Sequence, residues 1–349
     1  MASRLEILLV VVGLALTGIV CFVNIQNNTE LAEQEFQRLV DESAEALSER
    51  MKGNLQTVRG TAAYISASDD VTLTDFKNYV DALEIETRLP SLMGLGYVVE
   101  VPDAELDAFV SAQRAAGRPD FEIRRRSDRD LHTIIKYIEP VGENSNAKAV
   151  GLDLSFSTER AEVLTRGRET NQVQMTPPVQ LVQEDKTRPG FVTYMPIFSK
   201  ANETGAPAVF KGWVNAPFVA DNLLQGLTLS QGQLYALQAS DVSTVQGNVP
   251  IFDGLPDISE RGKFSLTREM HHFGRTWMLT FNSTDRFDTL VKSYQPLTIL
   301  IEGLALTAFL LLVLRHIQER AERLRDTARQ SARQAEARAE ENRSIVENA

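Results

Sequence analysis

The stretch "NNTELAEQEFQRLVDESAEALSERMKGNLQTVRGTAAYISAS", residues 27–68, decides how this chain is built. It contains no proline, and only Gly53 and Gly60 interrupt it. Apolar or small residues recur at Val40, Ala44, Leu47, Met51, Leu55, Val58, Ala62 and Ile65, in steps of three or four. That period belongs to an amphipathic α-helix, about 60 Å long if continuous. One face of such a helix packs on its own domain, and another face suits a second copy.

On either side of the region led by this helix lies an almost wholly apolar run: "LEILLVVVGLALTGIVCFV" at residues 5–23 and "LTILIEGLALTAFLLLVL" at 297–314. As helices they reach roughly 27–29 Å, close to a bilayer's hydrocarbon thickness. The first run is read as an uncleaved anchor, since it exceeds a signal-peptide core and no small-x-small site follows. Val20 stands where a lipoprotein needs a small residue before Cys21. The pentapeptide GLALT occurs in both runs, at 13–17 and 303–307. Either biased composition repeats it by chance, or its Gly and Thr let helices approach closely. Glu302, six residues into the second run, either reaches the headgroups or serves a function inside the membrane.

Basic residues set the expected orientation. Arg315, Arg320, Arg323, Arg325 and Arg329 follow the second run, whereas Arg38 alone lies between the first run and Arg50. Both termini are therefore expected in the cytoplasm and the middle outside, periplasmic or extracellular, in an inner or plasma membrane. The tail from Arg315 has eight Arg against seven carboxylates, so the net charge of −11 belongs to the middle. This argues against nucleic acid or anionic lipid as a partner. Cys21, the one cysteine, lies inside the first run, so the outer region is expected to fold without disulfides. The expected divisions are a cytoplasmic N-terminus (1–4), a first span (5–25), a stalk helix (26–70), a folded outer region (71–294), a second span (296–314) and a cytoplasmic helix (315–349).

The outer region reads as α+β. Helices are expected from Thr74-Asp75-Phe76, over "DAELDAFVSAQRAAG", over "TERAEVLTRGRET" and over "VADNLLQGL". Strands are expected at "LMGLGYVVEV", "FEIRRR", "HTIIKYIEPV", "VGLDLS", "VQLVQ", "GFVTYMPIF" and "VFKGWVNAPF", and again at "QLYALQAS" and "RTWMLTF". The pattern implies antiparallel sheets with helices beside them, in two lobes. Beyond residue 314 one charged helix carries a weak heptad seam at Ile317, Ala321, Leu324, Ala328, Ser331, Ala335, Arg338, Asn342 and Ile345.

A search for chemistry finds no phosphate-binding loop, no H-E-x-x-H, no G-x-S-x-G and no cysteine outside the membrane. His271 and His272 are adjacent, so on a strand they point to opposite faces; His132 stands alone. No catalytic residue, cofactor or metal ligand is assigned.

The blocks of residues 137–198, "YIEP", "GLDL", "TERAEVL", "MTPPVQLVQ" and "GFVTYMPIF" in that order, resemble the heart of the CHASE family. Upstream, "DFKNYVDALEIETRLPSLMGLGYVVEV" is similar to the family's opening block. The family comprises extracytoplasmic sensors of histidine kinases and nucleotide cyclases. The resemblance implies a long stalk helix with two PAS-like antiparallel-sheet lobes, flanked by two transmembrane helices and a cytoplasmic coiled-coil helix. It also implies a homodimer, and a small-molecule ligand of unknown identity in the membrane-distal lobe. The pocket is then expected around Tyr137, Asn144, Thr176, Pro177, Phe191, Tyr194 and Met195. Asn144 falls where plant cytokinin receptors hold a ligand-binding Asp, which speaks against a cytokinin. "ENRSIVENA" at the end resembles the start of a PAS domain, and the cytoplasmic output module, a histidine kinase or a nucleotide or diguanylate cyclase, would lie beyond.

Each assignment has a plainer counterpart. Asp153 pins a loop before the helix at Thr158, Pro177-Pro178 shape a bend, and Phe191, Tyr194 and Met195 fill a core. A membrane-tethered enzyme and a protein-binding ectodomain remain as alternatives to a sensor.

Overall fold

The computed structural model describes residues 3–139, 146–181, 189–199, 208–230, 232–244, 247–254 and 261–347. They form two compact units, Glu35–Leu290 and Met1–Gln34 with Val291–Ala349. Helix α1 (Arg4–Ala67) contributes to both.

In the unit Glu35–Leu290, α1 buries Phe36, Leu39, Val40, Leu47, Met51, Val58, Ala62 and Ile65. Full burial of each large apolar side chain is worth about 1.5–3 kcal/mol, which fixes this face of the stalk. The stripe also contains polar Ser43, Asn54 and Thr61, which periodicity alone passes over. Each is paired: Ser43 Oγ donates to the Leu39 carbonyl at 2.7 Å, Asn54 Nδ2 to Ser91 Oγ at 3.1 Å, and Thr61 Oγ1 to the Thr57 carbonyl at 2.9 Å. Ala44 and Leu55 are half-buried at its margin.

Helix α2 (Leu73–Ala82) begins one residue earlier than its sequence suggests, because Thr72 and Asp75 close a capping box. After α3 (Ile85–Arg88) come β1 (Leu95–Pro102), α4 (Leu106–Ala115) and β2 (Leu131–Glu139). Then follow α5 (Thr158–Thr170), β3 (Gln174–Met175), β4 (Val179–Gln180), β5 (Pro189–Phe198), β6 (Phe210–Val219) and α6 (Ala220–Ser230). The first sheet runs β2-β1-β6-β5-β3, with β4 also on β5, and every pairing is antiparallel. The last strand to join thus sits beside the first, the order of a PAS-like sheet.

The second lobe is a four-stranded antiparallel sheet. Its strands are β7 (Tyr235–Thr244), β8 (Gly247–Asp253), β9 (Arg261–His272) and β10 (Arg275–Thr284), in the order β8-β7-β10-β9. Helix α7 (Asp285–Leu290) follows, its Phe287 set edge-on to Phe36 of the stalk at 5.1 Å. The α+β architecture with two PAS-like sheets and a long leading helix agrees with the sequence reading.

Two expected strands are absent. "FEIRRR" joins its neighbours only through an isolated bridge from Arg124 to Leu152. "VGLDLS" supplies that bridge, another from Asp153 to Ile134, and then a 3-10 turn at Leu154–Phe156. The physical reason is Asp153. Its carboxylate accepts the Ser155 N–H at 2.9 Å and the Ser127 N–H at 2.8 Å, replacing ladder bonds with side-chain bonds.

In the other unit, residues 4–34 of α1 lie against α8 (Gln295–Glu347). Both helices are long and apolar enough to cross a membrane. Here the repeated pentapeptide has a structural role. A Cβ added to Gly13 would lie 3.2 Å from Thr307 Cβ, and one added to Gly303 would lie 2.9 Å from Thr17 Cβ. The two copies pack reciprocally, glycine against threonine, and the close-packing reading of the repeat fits better than chance. Each threonine hydroxyl bonds its own helix, to the Gly13 and Gly303 carbonyls at 2.8 Å, so no polar group is left bare. In a Cys21→Ser background, the pairs Gly13→Cys with Thr307→Cys and Gly303→Cys with Thr17→Cys should cross-link within one chain under mild oxidation. Gly18, which has no neighbour near its Cβ position, supplies the control. Gly18→Cys with Thr307→Cys should stay reduced, and equal cross-linking in all three would deny the seam.

Candidate ligand-binding site

Strand β2 is buried on both faces along most of its length. At its far end Tyr137 lies between Phe76 of α2, with ring centroids 5.8 Å apart, and Tyr97 of β1 at 6.3 Å. Burial raises the pKa of the Tyr137 hydroxyl. Beside this ring opens a cleft of about 390 Å³, whose walls include Leu73, Arg118, Tyr137, Ile138, Glu139 and Val150. Its size suits a metabolite-sized molecule.

Arg118, on the connection from α4 to β2, places its guanidinium 4.6 Å from the Phe121 ring and 4.9 Å from the Tyr137 ring. Its Nη1 donates to the Lys136 carbonyl at 2.6 Å. Lys136 Nζ approaches the same tyrosine ring at 4.9 Å, and burial lowers its pKa. The sequence reading passed over both cations. Their one visible signal is a lysine within a strand rich in aromatic and β-branched residues and an arginine in the connection before it, which many solvated strands share.

The expected site residues divide. Tyr137 lines the cleft. Asn144 lies outside the described residues. Tyr194 is 1% exposed and packs in the core cluster with Ile138, Leu152, Leu164 and Trp213, directly behind the cleft wall. Thr176 is buried and pins β5, its N–H donating to the Val192 carbonyl and its Oγ1 accepting the Val192 N–H, both at 3.0 Å. Pro177 and Met195 are half-buried. Phe191 faces away from Tyr194, as alternation along a strand demands. It stacks on Phe218 at 5.3 Å and meets Trp277 edge-on at 5.0 Å. With Thr193 it lines a small apolar pocket against Met51, Leu55 and Val58 of the stalk. The structure therefore brings Tyr137 and Tyr194 to the two sides of one wall and leaves Phe191 on the stalk side of the sheet.

At the other end of β2, His132 is fully buried between two carboxylates. Nδ1 lies 2.8 Å from Asp153 Oδ2 and Nε2 lies 2.9 Å from Asp103 Oδ1. Burial alone would lower the His132 pKa, yet the bonds to Asp153 and Asp103 prevail and raise it above 6.5. Burial likewise pushes Asp153 up, but its bonds to His132 and Ser127 hold it below 3.8.

Residues 69–252, more than half of the chain, match the family described as CHASE domain. A two-lobed PAS-like unit with a cleft in its first lobe defines a class, and within it this chain belongs to the CHASE domain family. No curated protein matches it. Among solved structures, the periplasmic sensory domain of the Campylobacter jejuni chemoreceptor Tlp1 is 10% identical with a TM-score of 0.44, over 77% of this chain and 100% of that one. The ligand-binding domain of the Pseudomonas fluorescens chemoreceptor CtaA, in complex with L-isoleucine, is 10% identical with a TM-score of 0.43, over 77% and 99%. That of the Pseudomonas aeruginosa amino acid chemoreceptor PctC, in complex with GABA, is 10% identical with a TM-score of 0.39, over 72% and 99%.

The histidine network carries a pH dependence of stability. His132 has a raised pKa, so its contribution is complete below pH 6.5 and is lost as pH rises through the raised value. Asp153 has a lowered pKa, so its contribution is present above 3.8 and is lost as pH falls below that. The unfolding free energy should decline above pH 6.5, with a slope of at most about 1.4 kcal/mol per pH unit. His132→Asn should flatten that limb. A variant whose profile parallels the parent's there would exclude the imidazolium as its source.

Proposed function

We propose that the chain is the ligand-sensing input part of a transmembrane signalling receptor. The observation that carries this reading is the cleft beside Tyr137, set within a CHASE domain that two apolar helices flank in sequence. In this reading residues 5–25 and 296–314 are the spans, and 71–294 is the sensor outside the membrane. Residues 1–4 and 315–349 are cytoplasmic. Asn144, Thr176, Pro177, Phe191, Tyr194 and Met195 serve the pocket with Tyr137, the buried ones by shaping its wall. Tyr194→Ala would then cost stability as well as ligand response, about 3–5 kcal/mol for a buried aromatic.

The reading is tested by thermal unfolding of the full chain in nanodiscs against a metabolite library. A ligand at 100 times its dissociation constant adds about 2.7 kcal/mol. Val150→Trp, which fills the cleft, should abolish that shift while leaving the circular dichroism spectrum intact. A shift that survives Val150→Trp would move the pocket elsewhere.

Signal passes, in this proposal, through a homodimer of stalks into a weak cytoplasmic coiled coil, and on to a kinase or cyclase module. The seam's Ala321, Ala328 and Ala335 are small enough to let two helices change register. Replacing all three with Ile should tighten dimerisation of the chain in detergent, measured by sedimentation equilibrium. Unchanged association would remove the coiled coil from the mechanism.

A further inference from the structure

The cleft holds a cation that the protein itself does not neutralise. Arg118 spends Nη1 on the Lys136 carbonyl, while Nε and Nη2 are buried without a hydrogen-bond partner. Those two nitrogens share one edge of the planar guanidinium, the edge that presents two parallel N–H bonds to a pair of oxygens. One complete bidentate fork is therefore unused. The guanidinium carbon lies over the Phe121 and Tyr137 rings, and Nε and Nη2 find no hydrogen-bond acceptor there. Asp120, Glu122 and Glu139 line the same cleft, yet among the described residues no carboxylate pairs with Arg118, and burial depresses its pKa. Lys136 adds a second cation at the Tyr137 ring, and its Asp70 partner is 3.9 Å away and largely exposed, a weak counterion.

A buried charge without a partner is disfavoured unless something else supplies the partner. We propose that the cleft binds a small organic molecule carrying one oxyanion group, carboxylate or phosphate, whose two oxygens pair with the Nε–Nη2 edge of Arg118. This deepens the ligand-sensing reading and rests on it. Water reaches neither nitrogen, so uptake swings the guanidinium toward the cleft that it lines. Arg124 lines the same walls and pairs with Glu122 at 3.4 Å, so that carboxylate is already offset and Arg118 supplies the edge that fixes the anion. Arginine suits this task better than lysine because its fork fixes the orientation of the anion.

The test is thermal unfolding of the full chain in nanodiscs of zwitterionic lipid at matched ionic strength. The probes are butyrate, benzoate, inorganic phosphate and methyl phosphate, with butyramide and benzamide as neutral counterparts. The carboxylate and phosphate arms separate the two oxyanion classes. The expected result is a raised midpoint with one anion class and none with the amides. Arg118→Lys should weaken binding roughly 10- to 100-fold, and Arg118→Met should abolish it. Without any probe, Arg118→Met should unfold at or above the parent's midpoint, because an unpaired charge has been removed. A lower midpoint would make Arg118 a structural residue and overturn the proposal. So would anion shifts equal in parent and Arg118→Met, or no anion shift in the parent. If amides shift the parent and its Arg118→Met variant alike while anions do not, the anion is refuted and the sensing reading stands.

Discussion

One carboxylate with no access to water organises the first lobe. Asp153 is fully buried and accepts hydrogen bonds from the Ser127 N–H and hydroxyl, the Ser155 N–H and the Thr133 N–H, while His132 sits against it. An ionised group in such a place persists only when nearly every lone pair is used. Using them draws the turn before α5 against the start of β2 and the loop that leads into it, 21 to 26 residues away in sequence. Around this ion the backbone closes a short irregular ladder: the Arg124 N–H donates to the Gly151 carbonyl, Gly151 to Ile135, and Ile135 to Leu152. Gly151 adopts a positive φ of 76°, and a side chain there would strike the Glu122 carbonyl. The cleft at the opposite end of β2 therefore inherits its walls from this anchor.

Much of the architecture is legible in the residues. The stalk's apolar period, the helix over "TERAEVLTRGRET" and strands β5 and β6 follow from local preference and burial acting together. Asp153 is legible as a pin because a short acid before a helix start bonds backbone more readily than it pairs with distant groups. The two missing strands were hidden for the same reason: alternation predicts extended backbone, and a side chain that captures backbone donors cancels the ladder. The candidate site is less legible. Tyr137 can be named from its block, but Arg118 and Lys136 gain their meaning only once the fold brings them to one aromatic ring. Alternation puts Phe191 and Tyr194 on opposite faces of β5, but only the packed fold says which face meets the core cluster and which meets the stalk.

The apolar helices pose the reverse problem. Their composition announces a bilayer, yet composition cannot say whether a repeated pentapeptide matters. The answer lies in a relation between the copies. Gly13 receives Thr307 while Gly303 receives Thr17, so each copy supplies both the notch and the knob. Antiparallel helices with the same motif at matching depth produce that exchange without any further sequence similarity.

Strand β5 has a consequence for how such a domain can evolve. Val192 and Tyr194 belong to the core behind the cleft, whereas Phe191 and Thr193 touch the stalk's Met51, Leu55 and Val58. Cleft wall and stalk are thus separated by the thickness of a single strand, and adjacent codons serve opposite sides. A substitution that reshapes the wall shifts the strand that the stalk leans on, and one that repacks the stalk shifts the wall. Wall and stalk packing are therefore one mechanical constraint on β5, so neither side of the strand can be repacked without readjusting the other.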